Sequence, residues 1–487
     1  MAGLPGAPSP DRAPRATNGM MIPPDPSRAR RVPLIVSAAL FMQNLDSTVL
    51  ANALPSIARD FGTDPLHLKL ALTSYLIALA VFVPASGWVA DRFGALKVFQ
   101  AAIAVFALGS LGCALSWDLP SIVGARIVQG MGGAMMLPVA RLLVLRSVPR
   151  ERIIAAFAML SMPALVAPIM GPPVGGLLTT YLSWHWIFWI NLPIAALGAV
   201  LAARFIPDLP PAAPAGFDIV GFLLAGPGLA LMLASLTLID LEVAPPWALA
   251  TLAATGASLL ALYVFYARRS PSPPLDLRLL RIATFRAGLA GGLFFRIGVG
   301  ASPFLVPLLL QEGFGQSAFE AGLVSFGAGI GALAMKPFAP RLVEALTMRR
   351  VLVANALLSS LLVAAPGLFA PGWATWAMFG LLAAGGFVRS LQFTTVNALL
   401  YADVPRADLS RATTFGAVVQ ELAGAVGVAV AALALGALQR MRGGGELDPG
   451  HFPIVFALVG AISALSVVFF LRLPPDAGAI QRRRPPG

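Results

Sequence analysis

Residues 84–98 read Pro84-Ala85-Ser86-Gly87-Trp88-Val89-Ala90-Asp91-Arg92-Phe93-Gly94-Ala95-Leu96-Lys97-Val98. An apolar run precedes this stretch and another follows it. Asp91, Arg92 and Lys97 therefore form a short charged step between two membrane-length segments. Gly87 and Gly94 permit a tight turn between closely packed helices. The pattern recurs 253 residues later, where Pro337, Glu344, Arg350 and Val351 take the places of Pro84, Asp91, Lys97 and Val98. Each set closes the second apolar run of its half, so the chain reads as two related halves.

The composition agrees with a chain built from such runs. Of 487 residues, 58% are hydrophobic and only 11% charged. A soluble domain carries about 25% charged residues, and a membrane helix needs roughly 20 apolar ones. These values exclude a soluble enzyme, a disordered protein and an anchor with a large soluble head. The single Cys excludes a disulfide framework and a Cys-based metal site. Three His, at 67, 185 and 451, make no cluster for a metal.

Fourteen apolar runs are expected, which makes the fold class an all-α membrane protein. The first seven are 33–54, 70–90, 98–117, 120–141, 153–180, 186–206 and 217–239. The other seven are 247–267, 287–311, 317–337, 351–371, 373–400, 412–438 and 452–472. Grouped by the repeat, they give a disordered tail (1–32), six spans (33–206), two inserted spans with their loops (207–286), six more spans (287–472) and a second tail (473–487). The first tail lacks the apolar core and cleavage site of a signal peptide.

Lys and Arg mark the cytoplasmic side of a membrane protein. The two tails and alternate loops hold 27 of the 34, the opposite loops hold four, and Arg126, Arg296 and Arg389 lie inside spans. Both termini are therefore expected in the cytoplasm. The same bias accounts for the net charge of +12 without nucleic acid. Paired six-helix halves with a site between them near the midplane are a known transporter plan.

Four further motifs fall on definite spans. The first span carries Leu45-Asp46-Ser47-Thr48 and Asn52-Ala53-Leu54-Pro55, and the fourth carries Arg126-Ile-Val-Gln129-Gly130-Met-Gly132-Gly133-Ala134. The fifth carries Ala167-Pro168-Ile-Met-Gly171-Pro172-Pro173-Val-Gly175-Gly176, followed by Ser183-Trp-His-Trp-Ile-Phe-Trp-Ile-Asn191-Leu-Pro193. Together with residues 87–97 they resemble the major facilitator superfamily. The chain looks most like its fourteen-span drug:proton antiporters, in the MdtD-like branch. The resemblance covers about residues 33–472 and includes Arg296-Ile-Gly-Val-Gly, Pro303, Pro307, Arg389-Ser-Leu-Gln392 and Asn397 in the second half. Where the family's loop usually has basic residues after the second Gly, this chain has Ala95 and Leu96.

Several intramembrane residues invite chemistry. A buried, unpaired carboxylate is costly, and desolvation favours its neutral form. Asp46 and Glu421 are thus candidate reversible proton carriers, or else hydrogen-bonded anchors between helices. Gln43 shares the face of Asp46, and Asn52 lies about 120° around the helix. Arg126 and Gln129, three residues apart, share a face of the fourth span. The resemblance implies proton coupling through Asp46 and Arg126; the bland alternative is a static bridge. Gln43, Asn52, Gln129, Arg296, Arg389, Gln392 and Asn397 are expected to face a substrate cavity. Three intramembrane Arg against two acids leave one Arg without an acidic partner.

At the membrane surface, the resemblance implies that Gly87, Asp91, Arg92 and Gly94 form a gating loop. Asp91 would meet a helix N-terminus of the other half, with the start of the thirteenth span as the geometric candidate. The Pro168, Gly171, Pro172, Gly175 and Gly176 stretch marks antiporters in that family and is held to limit leakage. Trp184, Trp186 and Trp189 read as an interfacial belt, and Cys113 as inert. No Walker-type phosphate loop occurs, so ATP is not expected as the energy source within this chain; the resemblance implies a proton gradient instead, and no cofactor is expected. The expected partners are protons, a small-molecule substrate and the lipid bilayer; no outer-membrane efflux partner is named by the sequence. The expected function is proton-coupled export of small amphipathic compounds from the cytoplasm across a bacterial inner membrane. The alternative is a symporter or uniporter importing a small nutrient.

Overall fold

The computed structural model describes residues 28–148, 153–208, 216–239, 241, 244–271, 273–405, 408–441 and 447–474. Residues 1–27 and 475–487, which make up most of the two expected tails, lie outside the described residues. Among the described residues the chain is helical throughout and contains no strand. The long helices are α1 (Arg28–Val49), α2 (Lys69–Phe82), α3 (Ala95–Ala114), α4 (Leu119–Ser147), α5 (Ile153–Tyr181), α6 (Asn191–Phe205) and α7 (Ile219–Leu238). They continue as α8 (Pro246–Ala267), α9 (Ala283–Leu308), α10 (Ala318–Met335), α11 (Met348–Ala364), α12 (Thr375–Ala402), α13 (Leu409–Met441) and α14 (Phe452–Ala464).

Among the described residues, twelve helical stretches are long and apolar enough to cross a membrane. The sequence expectation was fourteen. The 28-residue α12 is a long helix that falls outside that set. In α12 the polar run Arg389, Ser390, Gln392, Thr394, Thr395 and Asn397 interrupts the apolar surface. Helix α1 starts at Arg28, inside the segment expected to be tail.

Local chemistry sets the helix ends. Asp118 and Ser121 form a reciprocal capping box at the start of α4, and Ser317 and Glu320 do the same for α10. The Asp218 carboxylate caps α7 through the Gly221 N–H and also accepts from Tyr266 and Ser270, tying α7 to the end of α8. The repeat has a structural counterpart. After α2, a short 3₁₀ turn at Val83–Ala85 contains Pro84 and leads into a second helix, Ser86–Phe93. After α10, a turn containing Pro337 leads into the helix Ala339–Ala345. Both breaks follow from a proline that removes a backbone donor.

Hydrocarbon gives apolar helices no reason to associate by apolarity alone, so close packing of small residues has to hold them together. Helix α5 packs along α1 on one side and along α10 on the other, while α2 packs against α13. Thus the early part of the chain meets the late part through two crossed pairs, α5 with α10 and α2 with α13. Helices α7 and α8 pair with each other, and α7 also touches α2 and α13. The α5–α10 seam is so tight that a Cβ on Gly176 would overlap the Ala318 carbonyl oxygen.

This packing generates a paired prediction. Gly176→Val forces α5 and α10 apart and is expected to destabilise the protein by about 1–3 kcal/mol, as overpacking does. Gly124→Ala, in α4 where an added Cβ meets nothing within 4 Å, is expected to stabilise by about 0.5–1 kcal/mol. Thermal unfolding of the two variants in the same detergent should show melting shifts of opposite sign.

Candidate functional site

The most heavily bonded polar group lies in the early helices. Asp46 of α1 is 1% exposed, and Arg126 and Gln129 of α4 are fully buried. Arg126 Nη1 donates to Asp46 Oδ2 at 2.6 Å, and Gln129 Nε2 donates to Asp46 Oδ1 at 2.8 Å. Asn191 Nδ2, from the start of α6, donates to the same Oδ1 at 2.7 Å. Arg126 Nη1 also donates to Gln129 Oε1 at 2.5 Å, and its Nε to the Ala71 carbonyl of α2 at 3.0 Å. Ser110 Oγ of α3 accepts from both Gln129 and Asn191. The Tyr75 ring lies 4.2 Å from the guanidinium carbon and covers its face.

The chemistry follows from this geometry. Three donors converge on one carboxylate, and burial makes each charge-assisted bond strong. Adding a proton to Asp46 would weaken its bond to Arg126 and leave a buried cation short of a partner. Such a group is either permanently bridged or changes state together with the helices around it.

A cavity of about 520 Å³ lies between the early and late helices. That volume falls in the usual range for small-molecule sites, roughly 300–1,000 Å³. Helix α1 and the turn after it supply Thr48, Ala51 and Asn52 to its wall. Pro168, Ile169 and Pro172 come from α5, and the remainder comes from α9 to α12. Pro303 and Pro307 interrupt α9 along the wall, and the helix then widens into a π turn at Leu309–Gly313. From that turn Gln311 Nε2 donates to the Asn52 carbonyl at 3.0 Å, while Asn52 Nδ2 donates to the Pro172 carbonyl at 3.1 Å. Those bonds tie the turn after α1 to α5 and to the end of α9 beside the cavity, while Gly176 packs against Ala318 in the α5–α10 seam.

The structure places the remaining predicted residues as follows. Of the seven expected cavity residues, Asn52 and Arg389 line it. Gln129 belongs to the Asp46 network. Gln43 lies beside Tyr75, next to Gly133. Arg296 is buried and donates from Nη2 to Asn397 Oδ1 at 2.8 Å, with its other guanidinium nitrogens unbonded. Gln392 accepts from Asn355 of α11 at 2.9 Å and is fully buried away from the cavity. Glu421, on α13, is half-buried, makes no hydrogen bond or ion pair to the described residues, and is electrostatically coupled to Arg296 and Tyr75.

Some expected contacts have different partners. Asp91 does not meet the start of α13: its Oδ1 pairs with Arg146 of α4 at 2.7 Å, within the early helices. The start of α13 is met instead by Asp276, from the segment after α8, which pairs with Arg411 at 3.3 Å. Gly94 has φ of +93° and makes the expected turn, whereas Gly87 has open space around it and packs against nothing. Arg92 is exposed. In the α5 motif, Gly171 and Gly175 lie against Thr48 and Val49 of α1, while Pro172 lies against Gly322 of α10. Trp184 is not part of a belt. It is 4% exposed, stacks on His185 and donates to Asp60 at 3.0 Å, because its indole N–H has an acid within reach. Trp186 is half exposed, as an interfacial residue would be. Cys113 is buried against Gln129.

Sequence reasoning missed Asn191, Ser110 and Tyr75 in the network and Lys336, Ser325 and Phe393 at the cavity. The available signal was simple: Asn191 and Ser110 are polar residues inside apolar runs. Their convergence on Asp46 depends on helix packing that no local pattern reports.

Comparison with known proteins agrees with this architecture. Residues 36–267 and 288–486 match the model of the Major Facilitator Superfamily. The MdtD protein of Salmonella paratyphi A, named for multidrug resistance, is 39% identical over 447 residues, covering 91% of this chain and 94% of that protein. MdtD of Salmonella typhi matches to the same extent. Among solved structures, the POT family transporter PepTSo aligns with a TM-score of 0.66 at 15% identity, covering 93% of this chain and 99% of that one. A D-xylose-proton symporter aligns with a TM-score of 0.63 at 14% identity, covering 92% of this chain and 98% of that one. At such identities these structures speak for the fold alone. With the family model matched along both parts of the chain and the MdtD likeness running nearly end to end, this protein belongs to the major facilitator superfamily of membrane transporters.

Proposed function

We propose that this protein is a proton-coupled antiporter that exports small amphipathic compounds by alternating access. In this reading it has fourteen spans arranged as six, two and six, lies in a bacterial inner membrane and keeps both termini in the cytoplasm. One observation carries the proposal. Helix α1 holds Asp46 in the buried network and, in the following two turns of chain, presents Thr48, Ala51 and Asn52 to the cavity. A change at Asp46 cannot leave the cavity wall untouched, and a ligand pressing on that wall cannot leave Asp46 untouched.

The cycle follows from that coupling. A proton entering from outside neutralises Glu421, which has no bonded partner among the described residues, and passes to Asp46 when α1 and α4 separate. Arg126, released from Asp46, retains its bond to Ala71. The wall formed by Thr48 and Asn52 shifts and the bound substrate leaves; once the site opens inward, Asp46 releases its proton to the cytoplasm and re-forms its bond to Arg126. One proton moving across about 100 mV supplies about 2.3 kcal/mol, which sustains a substrate gradient of roughly 40-fold. The α5 glycines support export because they close the seam that would otherwise leak. The MdtD relatives are named for multidrug resistance, which favours export over nutrient uptake.

In everted vesicles, substrate uptake should drive proton efflux from the lumen, and Asp46→Asn or Glu421→Gln should lower exchange at least tenfold while facilitated, uncoupled flux persists. Normal exchange by both variants removes the proton assignment, and flux only in the opposite sense selects the symporter. A second measurement concerns Asp91. Its pair with Arg146 is partly exposed and should contribute about 1 kcal/mol or less to stability. If Asp91 takes another partner in the second conformation, Asp91→Asn should slow exchange several-fold more than Arg146→Gln, with melting temperatures equal. Equal slowing by both would confine Asp91 to the contact seen here.

A further inference from the structure

The cavity carries two cations and no acid. Arg389 of α12 and Lys336 at the end of α10 line it, and neither Asp46, Glu421 nor any other carboxylate does. The three intramembrane arginines differ in what they bond. Arg126 is held by Asp46, and Arg296 by Asn397 with Glu421 in electrostatic range. Arg389 donates from Nε to its own helix at Gly385, at 3.3 Å, and its two terminal nitrogens have no partner among the described residues. Neither Arg296 nor Arg389 has an ion pair among the described residues, and of the two it is Arg389 that faces the empty space. A guanidinium removed from water requires a counter-charge, and its planar fork suits a carboxylate or sulfonate.

The rest of the wall sets the remainder of the ligand. Ile169, Val306, Leu382 and Phe393 give it an apolar lining, and Ser390 adds a hydroxyl one residue from Arg389. Lys336 is exposed where the cavity reaches the end of α10, so it can attract an anion before Arg389 receives it. A hydrophobic cation would meet two like charges here and no carboxylate.

Resting on the reading of this cavity as the substrate site, we infer that the transported compounds are amphipathic organic monoanions, with an apolar ring system against α9 and α12 and one carboxylate or sulfonate on Arg389. The test uses the full chain in phosphatidylcholine nanodiscs and three probes of one shape: naphthalene-1-acetate, naphthalene-1-acetamide and 1-naphthylmethylammonium. Calorimetry should show the acetate binding about tenfold or more tightly than the other two, the scale of a charge-assisted bond. Arg389→Gln should abolish that preference, Arg389→Lys should keep part of it, and Lys336→Gln should weaken it less. Ammonium binding as tightly as acetate, acetate binding unchanged in Arg389→Gln, or acetate failing to bind at millimolar concentration overturns the inference. Binding needs no gradient, which separates the two claims. Anion preference without proton-driven flux in everted vesicles upholds the inference and removes antiport; gradient-driven flux of the ammonium probe alone does the reverse.

Discussion

A carboxylate and a guanidinium held without water must satisfy each other, and the early helices are arranged around that requirement. Asp46 and Arg126 are both essentially inaccessible, and every bond they make crosses to another helix or braces one that does. The network joins α1 through Asp46, α2 through the Ala71 carbonyl, α3 through Ser110, α4 through Arg126 and Gln129, and α6 through Asn191. Leaving either charge single would cost about 3–5 kcal/mol. The pair is consequently a poor source of net stability and a strong constraint on relative helix position. Helix α5 joins the group differently, by the fit of Gly171 and Gly175 against α1.

Among the described residues, the late helices have no equivalent centre. Arg296 has one amide partner and two unbonded nitrogens, Arg389 bonds only its own helix, and Glu421 has neither hydrogen bond nor ion pair among the described residues. Polar groups in this state are costly in a membrane interior and invite a ligand, a proton or a rearrangement. The two parts of the molecule thus divide the work. One is clamped by internal charge pairing, with Asp46 and the wall residue Thr48 on the same helix α1; the other presents incompletely satisfied charge to the cavity and its surroundings.

The sequence exposed the parts of this arrangement that are local. Apolar runs gave the helix order, Pro84 and Pro337 gave the paired breaks, and the isolated charges inside spans named Asp46, Arg126, Arg296, Arg389 and Glu421. Charge arithmetic showed that one arginine would lack an acid; among the described residues neither Arg296 nor Arg389 has an ion pair, and Arg389 is the one on the cavity wall. Partner choice was not legible, because it depends on which faces of distant helices meet. Asp91 illustrates this: the charge at a membrane surface was evident, but its pairing with Arg146 rather than with the start of α13 depends on how α4 lies beside the short Ser86–Phe93 helix. Asn191 and Lys336 were missed for the same reason. The count of spans was sensitive in another way, since the polar residues of α12 serve packing and the cavity at the expense of apolar character.

The claim on which the account stands is that the Asp46 carboxyl changes protonation state during transport instead of remaining a fixed bridge. Infrared difference spectroscopy on the purified protein in lipid, comparing proton-loaded and substrate-loaded states, reads that directly. The account predicts a protonated-carboxyl C=O band in the proton-loaded state that is present in the native chain and absent in Asp46→Asn. A spectrum in which this band is missing from the native chain, or survives unchanged in the variant, would contradict it.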